Sequence, residues 1–97
     1  MTAEQPESWI AVTGLVKGRV QGVFFRAETQ AKARSLGLVG WVKNTLEGDV
    51  AVMVAGPSSA VETMRDWLRK GPPLARVDRL ELVDCALPDS EGFDIQY

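Results

Sequence analysis

Two glycines and two arginines lie close together in the segment from residue 18 to residue 26. Gly18 and Gly22 follow a β-branched run, and a helical pattern begins directly after them. Glycine lets backbone N–H groups turn toward one point, and the first N–H groups of a helix have no internal partner. Such a turn attracts anions and disfavours cations. Arg19 and Arg26 therefore indicate a bound anion, although a tight turn with two solvated arginines is the simpler alternative.

The composition limits the chemistry that the chain can perform. Its 97 residues include no histidine and a single cysteine, Cys85. A Ser–His or Cys–His nucleophile pair, histidine acid–base catalysis and the usual zinc sites are therefore excluded. No Asp-x-Asp cluster typical of a carboxylate metal site is present. If the protein is an enzyme, it must work by positioning and electrostatics.

Charge and length predict a small protein without a general affinity for polyanions. With 11 basic and 13 acidic residues the net charge is −2, so we expect neither nucleic-acid nor membrane binding. There is no transmembrane-length apolar run and no signal segment, and one cysteine cannot form an intrachain disulfide, which fits the cytoplasm. We expect a flexible tail at residues 1–8 and a single domain at residues 9–97.

Apolar periodicity predicts the elements that position these residues. In order they are a strand at 9–16, a helix at 23–36, strands at 38–43 and 50–55, a helix from 58 to about 70, a strand at 77–83 and a short last strand at 93–97. This order predicts an α+β, ferredoxin-like split β-α-β fold, β-α-β-β-α-β with a short fifth strand: an antiparallel sheet with two helices on one face. That plan alone does not determine a function.

The predicted topology brings a second polar residue, Asn44, toward the glycine-rich segment. The first two strands are joined by a helix, so they run parallel and end at the same edge of the sheet. The third strand lies between them, which places Asn44 and the segment 18–26 about 10 Å apart. A phosphate with a water beside it would fit between them. Asparagine at a strand end also caps turns through its own backbone, which is the alternative reading of Asn44.

Two segments resemble the signatures of the acylphosphatases. Residues 16–26 are similar to the first signature, and the second is matched by residues 40–44 together with Gly48, Val50 and Gly56. Both match without a gap, and the likeness extends from about Trp9 to Tyr97. The resemblance implies hydrolysis of the carboxyl–phosphate bond of acyl phosphates to a carboxylate and phosphate.

The resemblance also implies a role for each site residue. Arg26 would bind the substrate phosphate, and Asn44 would hold the attacking water. Backbone N–H groups would cradle the phosphate at Gly18, Arg19, Val20, Gln21, Gly22 and Val23. The family needs no metal and no organic cofactor. From the resemblance we expect an acyl phosphate as substrate and inorganic phosphate or similar anions as product or inhibitor. We also expect the protein to be a monomer.

Two other functions are compatible with the predicted fold. One is a non-catalytic anion- or metabolite-binding module, since a relative of this domain stands at the front of a hydrogenase-maturation carbamoyltransferase. We expect a free-standing enzyme, because the chain ends at Tyr97. The other is RNA binding, which uses aromatic residues on central strands. The third strand, 50–55, has no aromatic residue, which disfavours RNA.

Overall fold

Seven elements make up the fold in the computed structural model, which describes residues 8–97. They are β1 (Trp9–Arg19), α1 (Phe25–Ser35), β2 (Val39–Asn44), β3 (Val50–Pro57), α2 (Ser58–Lys70), β4 (Arg76–Asp84) and β5 (Phe93–Gln96). This order confirms the predicted ferredoxin-like plan with a short fifth strand. Apart from Ser8, the predicted tail at residues 1–8 lies outside the described residues. No helix in the described part of the chain is both long and apolar enough to cross a bilayer.

The five strands form one sheet in the order β4-β1-β3-β2-β5. β3 pairs antiparallel with β1 and with β2, and β1 pairs antiparallel with β4. β5 pairs parallel with β2, so the sheet is mixed, whereas the sequence predicted an antiparallel sheet. The difference arises because the segment 85–92 crosses the sheet at the end where the C-terminus of β4 and the N-terminus of β2 both lie. A strand that starts there beside β2 must run parallel to it.

The hydrophobic core lies between the sheet and the two helices. α1 packs against β2 and β5, and α2 packs against β4, β3 and β1. Alternate residues of the strands face the helices and are buried, as period-two alternation requires. The fully buried strand residues on this face include Val12, Val16, Val42, Val50, Val52 and Val54.

Relative to the sequence prediction, β1 is longer and α1 is shorter. β1 continues to Arg19 because it stays paired with β4 through a bulge between Lys17 and Gly18. At Gly18 (φ 134°) an added Cβ would collide with the β4 backbone, so only glycine fits. α1 begins at Phe25, since the preceding residue has a left-handed backbone conformation. The loop that joins the two elements is therefore confined to residues 20–24.

Candidate anion-binding site

A pocket of about 280 Å³ opens where the 20–24 loop and the start of α1 meet the ends of β2 and β5. Arg26 and Asn44 both line it, which agrees with the proximity predicted from the topology. The complete lining is Val20, Gly22, Phe24, Phe25, Arg26, Ala27, Asn44, Ile95 and Tyr97. The pocket thus combines a cation, an amide and apolar walls.

Strand register positions the amide of Asn44. Asn44 pairs with Val50, and Val50 pairs with Val16, so the three residues form one row across the sheet. Both valines are fully buried under the helices. Residues in one row share a face of the sheet, so Asn44 lies on the helix-covered face, at the end where α1 begins. This places the amide at the pocket, where it can hold a small polar molecule.

The loop offers backbone N–H groups to a ligand. Within the described part of the chain, the N–H groups of residues 21–23 have no hydrogen-bond acceptor. The first backbone bond of α1 runs from the N–H of Glu28 to the carbonyl of Phe24, at 3.0 Å. Gly22 has φ 75° and open space around its Cα, so it supplies the turn rather than packing. Free N–H groups beside a helix N-terminus favour an anion.

Arg26 lies in the first turn of α1, where a cation is electrostatically unfavourable. Its Nη1 donates to the carbonyl oxygen of Gln96 at 3.4 Å, and its Cζ lies 4.9 Å from the ring centroid of Tyr97. Among residues 8–97 it forms no ion pair with a carboxylate. The half-buried guanidinium therefore keeps its full charge available to an anion in the pocket.

Four of the predicted cradle residues do not line the pocket: Gly18, Arg19, Gln21 and Val23. Gly18 and Arg19 belong to the ladder with β4, and Arg19 is exposed opposite Arg76. Val23 is buried in the core. Of the two arginines in the segment, only Arg26 therefore reaches the pocket.

The side chain of Gln21 connects the loop to the β2–β3 turn. Its Nε2 donates to the carbonyl oxygens of Thr45, at 2.9 Å, and Asp49, at 2.7 Å. The same turn is closed by a bond of 2.9 Å from the N–H of Thr45 to the carbonyl of Asp49. Because Thr45 follows Asn44 directly, Gln21 sets the spacing between the loop and the amide. The sequence analysis considered only the backbone of Gln21 and missed this role.

Tyr97 lines the pocket, and the sequence analysis did not identify it. β5 runs parallel to β2 with Gln96 opposite Lys43, so Tyr97 is level with Asn44. The alternation at 93–97 predicted a strand but not its neighbour in the sheet. Without that neighbour, nothing local connects Tyr97 with Arg26.

The comparisons with known proteins agree with one another. The family model described as acylphosphatase matches residues 12–95. The chain is 46% identical over 90 residues to an acylphosphatase of Azoarcus sp. (strain BH72), covering 92% of each protein. It is also similar to the structure of an acylphosphatase from Coxiella burnetii, with TM-score 0.87 and 35% identity over 91% of this chain and 93% of the other.

A much larger protein shares the fold alone. The structure of full-length HypF in a phosphate- and nucleotide-bound form aligns with 98% of this chain at TM-score 0.84, with 20% sequence identity. The aligned part is only 13% of that chain. The likeness therefore concerns the architecture of one small part of that protein.

We expect Gln21→Ala to weaken both the fold and the anion site. Two half-buried hydrogen bonds are lost, which costs about 1–2 kcal/mol of the free energy of unfolding in urea. Inorganic phosphate should bind several-fold more weakly by titration calorimetry, because the loop is no longer held to the turn. Gln30→Ala is the matched control, since it removes one side-chain bond to Phe93 away from the pocket. Wild-type phosphate affinity in Gln21→Ala would contradict this positioning role.

Proposed function

The chain belongs to the acylphosphatase family and hydrolyses the carboxyl–phosphate bond of acyl phosphates, and we propose that Arg26, Asn44 and the loop between β1 and α1 form its active site. One observation carries the proposal. Arg26 and Asn44 lie on different elements and line the same pocket, beside N–H groups that have no acceptor among the described residues. The products are a carboxylate and inorganic phosphate.

The phosphate of the substrate binds to the free backbone N–H groups of the loop, at residues 21–23, and to Arg26. The N–H groups of residues 21–23 are free to turn toward an oxygen, whereas Gly18 and Arg19, which the sequence analysis included in the cradle, belong to the ladder with β4. The planar guanidinium of Arg26 donates to two phosphate oxygens at once and brings a fixed positive charge to them. Together these donors neutralise the charge on the equatorial oxygens of the transferring group.

The leaving group needs no help from an acid. It is a carboxylate, whose conjugate acid has a pKa of about 4, so it departs at neutral pH without a proton. The remaining task is to place water opposite the bond that breaks. Asn44 holds that water through its side-chain amide, which carries both donors and an acceptor. The water oxygen forms a bond to phosphorus while the carboxylate leaves with the electron pair.

The proton of the attacking water passes to an oxygen of the substrate phosphate. The chain has no histidine, and no aspartate or glutamate lines the pocket. No imidazole and no aspartate or glutamate carboxylate is therefore placed to take the proton, whereas the phosphate oxygens lie next to the water. No cluster of three or more metal-ligating residues occurs among residues 8–97. We propose that the reaction runs without a metal, with charge neutralised by Arg26 and the loop.

The oligomeric state, the cellular location and the alternative function are considered next to the proposed site. We propose that the protein acts as a monomer, because a single chain brings Arg26, Asn44 and the loop into one pocket and the proposed site needs no residue of a second copy. A cytoplasmic location remains a proposal based on the single cysteine. A non-catalytic anion-binding module is not favoured, since relatives that match along most of their length are acylphosphatases.

Arg26→Ala should lower kcat/KM for acetyl phosphate by about 10²-fold or more, because the transferring charge loses its fixed cation. Inhibition by inorganic phosphate should weaken in parallel, and circular dichroism should show an intact fold. The assay is phosphate release with a chelator present. Arg34→Ala changes an exposed arginine at the other end of α1 and should leave both constants unchanged. Undiminished hydrolysis by Arg26→Ala would remove Arg26 from the active site.

Asn44→Ala should reduce kcat by about 10²-fold and change phosphate inhibition by less than about 2-fold, since the amide orients water rather than the phosphate. Steady-state kinetics with acetyl phosphate separates the two effects. Lys43→Ala is the control, because Lys43 is the neighbouring residue on the opposite face of the sheet. If Asn44→Ala kept a near-normal kcat, another group would have to hold the water.

The pH dependence of kcat/KM should follow the substrate and not the enzyme. If the substrate phosphate accepts the proton, the ionisation state of that phosphate determines how kcat/KM changes with pH. Two acyl phosphates with different phosphate pKa values should give profiles displaced by the same difference. A break at one fixed pH near neutrality for both substrates would indicate an enzyme base and disprove the proton route.

A further inference from the structure

Phe24 is an exposed aromatic residue in a strained backbone conformation. It has φ 63° and ψ 21°, in the left-handed region, and no other residue except glycine has a positive φ in the described part of the chain. For an L-residue the region is unfavourable because Cβ approaches the following carbonyl, and a bulky side chain there is uncommon. The backbone at this position is thus suited to glycine, yet the chain has phenylalanine.

The fold gains little from the ring of Phe24. The residue is 71% exposed, whereas the next one, Phe25, is 2% exposed and contributes to the core. An exposed apolar side chain buries too little area to offset the strain of its backbone, and such strain occurs preferentially at functional sites. Phe24 lines the pocket. Its ring is therefore available to a ligand.

Tyr97 lines the same pocket, and its ring is also available to a ligand. It is 98% exposed, although its ring lies against the guanidinium of Arg26 at 4.9 Å. Phe24 precedes Arg26 by two residues, so two exposed rings accompany the cation that would bind the phosphate. A group attached to that phosphate would lie next to these rings when the substrate is bound.

The size and lining of the pocket leave room for part of such a group. A phosphate and one water need about 150–200 Å³, at about 30 Å³ for each water-sized group. The pocket measures about 280 Å³, so space remains beyond these two occupants. Apart from Arg26 and Asn44, the side chains of its walls are apolar or aromatic, with Val20 and Ile95 among them, and Arg26 is the one lining residue with a charged side chain. Arg26 is assigned to the phosphate and Asn44 to the water, so no further charged side chain of the lining is left to bind a charged acyl group.

We propose that Phe24 and Tyr97 form an aromatic rim that binds the acyl group of the substrate and selects acyl phosphates with apolar, above all aromatic, acyl groups. The rim rests on the proposed function, since it is defined relative to a phosphate held at Arg26. Edge-to-face or offset contact with an aromatic acyl group is the interaction that exposed rings provide. The rim acts on specificity and leaves the bond-breaking step to the phosphate site.

The test compares benzoyl phosphate with acetyl phosphate, which differ in the acyl group alone. In Phe24→Ala the ratio of kcat/KM for benzoyl over acetyl phosphate should fall roughly 3- to 10-fold, mostly through KM for benzoyl phosphate. Phe24→Tyr should retain the ratio, because it keeps a ring. Trp9→Ala is the matched control: Trp9 is a partly exposed aromatic residue at the far end of β1, roughly 30 Å from Arg19. Its ratio should equal that of the wild type.

A second variant tests the strain itself. Phe24→Gly lacks the ring like Phe24→Ala, so the ratio should fall equally in both, but glycine accepts the left-handed conformation. Phe24→Gly should therefore melt about 5 °C above Phe24→Ala. Equal melting temperatures would contradict the strain that assigns Phe24 a function.

The outcomes distinguish the rim from the active site. An unchanged ratio in Phe24→Ala and in Phe24→Gly, with hydrolysis still dependent on Arg26, would overturn the rim and leave the proposed function standing. Hydrolysis that survives Arg26→Ala would instead overturn the phosphate site, and with it the premise of the rim. A reduced ratio together with dependence on Arg26 supports both.

Discussion

The antiparallel pairing of β3 with both of its neighbours is the constraint on which the site depends. Because β1 and β2 each run opposite to β3, they are parallel to one another and end at the same edge of the sheet. The row Val16, Val50 and Asn44 then places an amide at the end of a buried face. A slip of one residue between β2 and β3 would turn Asn44 to the open face. Burial of the valines in the same ladder opposes that slip.

Electrostatics at the start of α1 complements this geometry. A helix N-terminus, free loop N–H groups and the guanidinium of Arg26 all present positive charge to one pocket, and no aspartate or glutamate lines it. The ring of Tyr97 supports the guanidinium without neutralising it. Such a site is complementary to a phosphoryl group in transfer, whose charge is spread over its equatorial oxygens. In the proposed mechanism, catalysis needs neither histidine nor a protonated leaving group.

Three residues of the segment 18–26 differ in the structure from what the sequence predicted. Gln21 was considered for its backbone N–H, but its side chain ties the loop to the β2–β3 turn through two carbonyl oxygens. Phe24 was assigned to a helix because its neighbours fit a helical pattern, whereas its φ of 63° ends that pattern. Arg19 was grouped with Arg26 by proximity in sequence, yet the extension of β1 along β4 holds it outside the pocket.

The sequence by itself determined the order of elements and the two glycine-bearing signatures, and the topology predicted from that order brings Arg26 and Asn44 to one pocket. These depend on local periodicity and on motif spacing, which the chain carries without reference to its partners. Only the tertiary structure decided that β5 pairs parallel with β2, which brings Tyr97 level with Asn44 and onto Arg26. That pairing depends on where a long connection returns to the sheet. The alternating pattern of residues 93–97 would be the same beside β2 or beside β4, so it does not specify the strand with which β5 pairs.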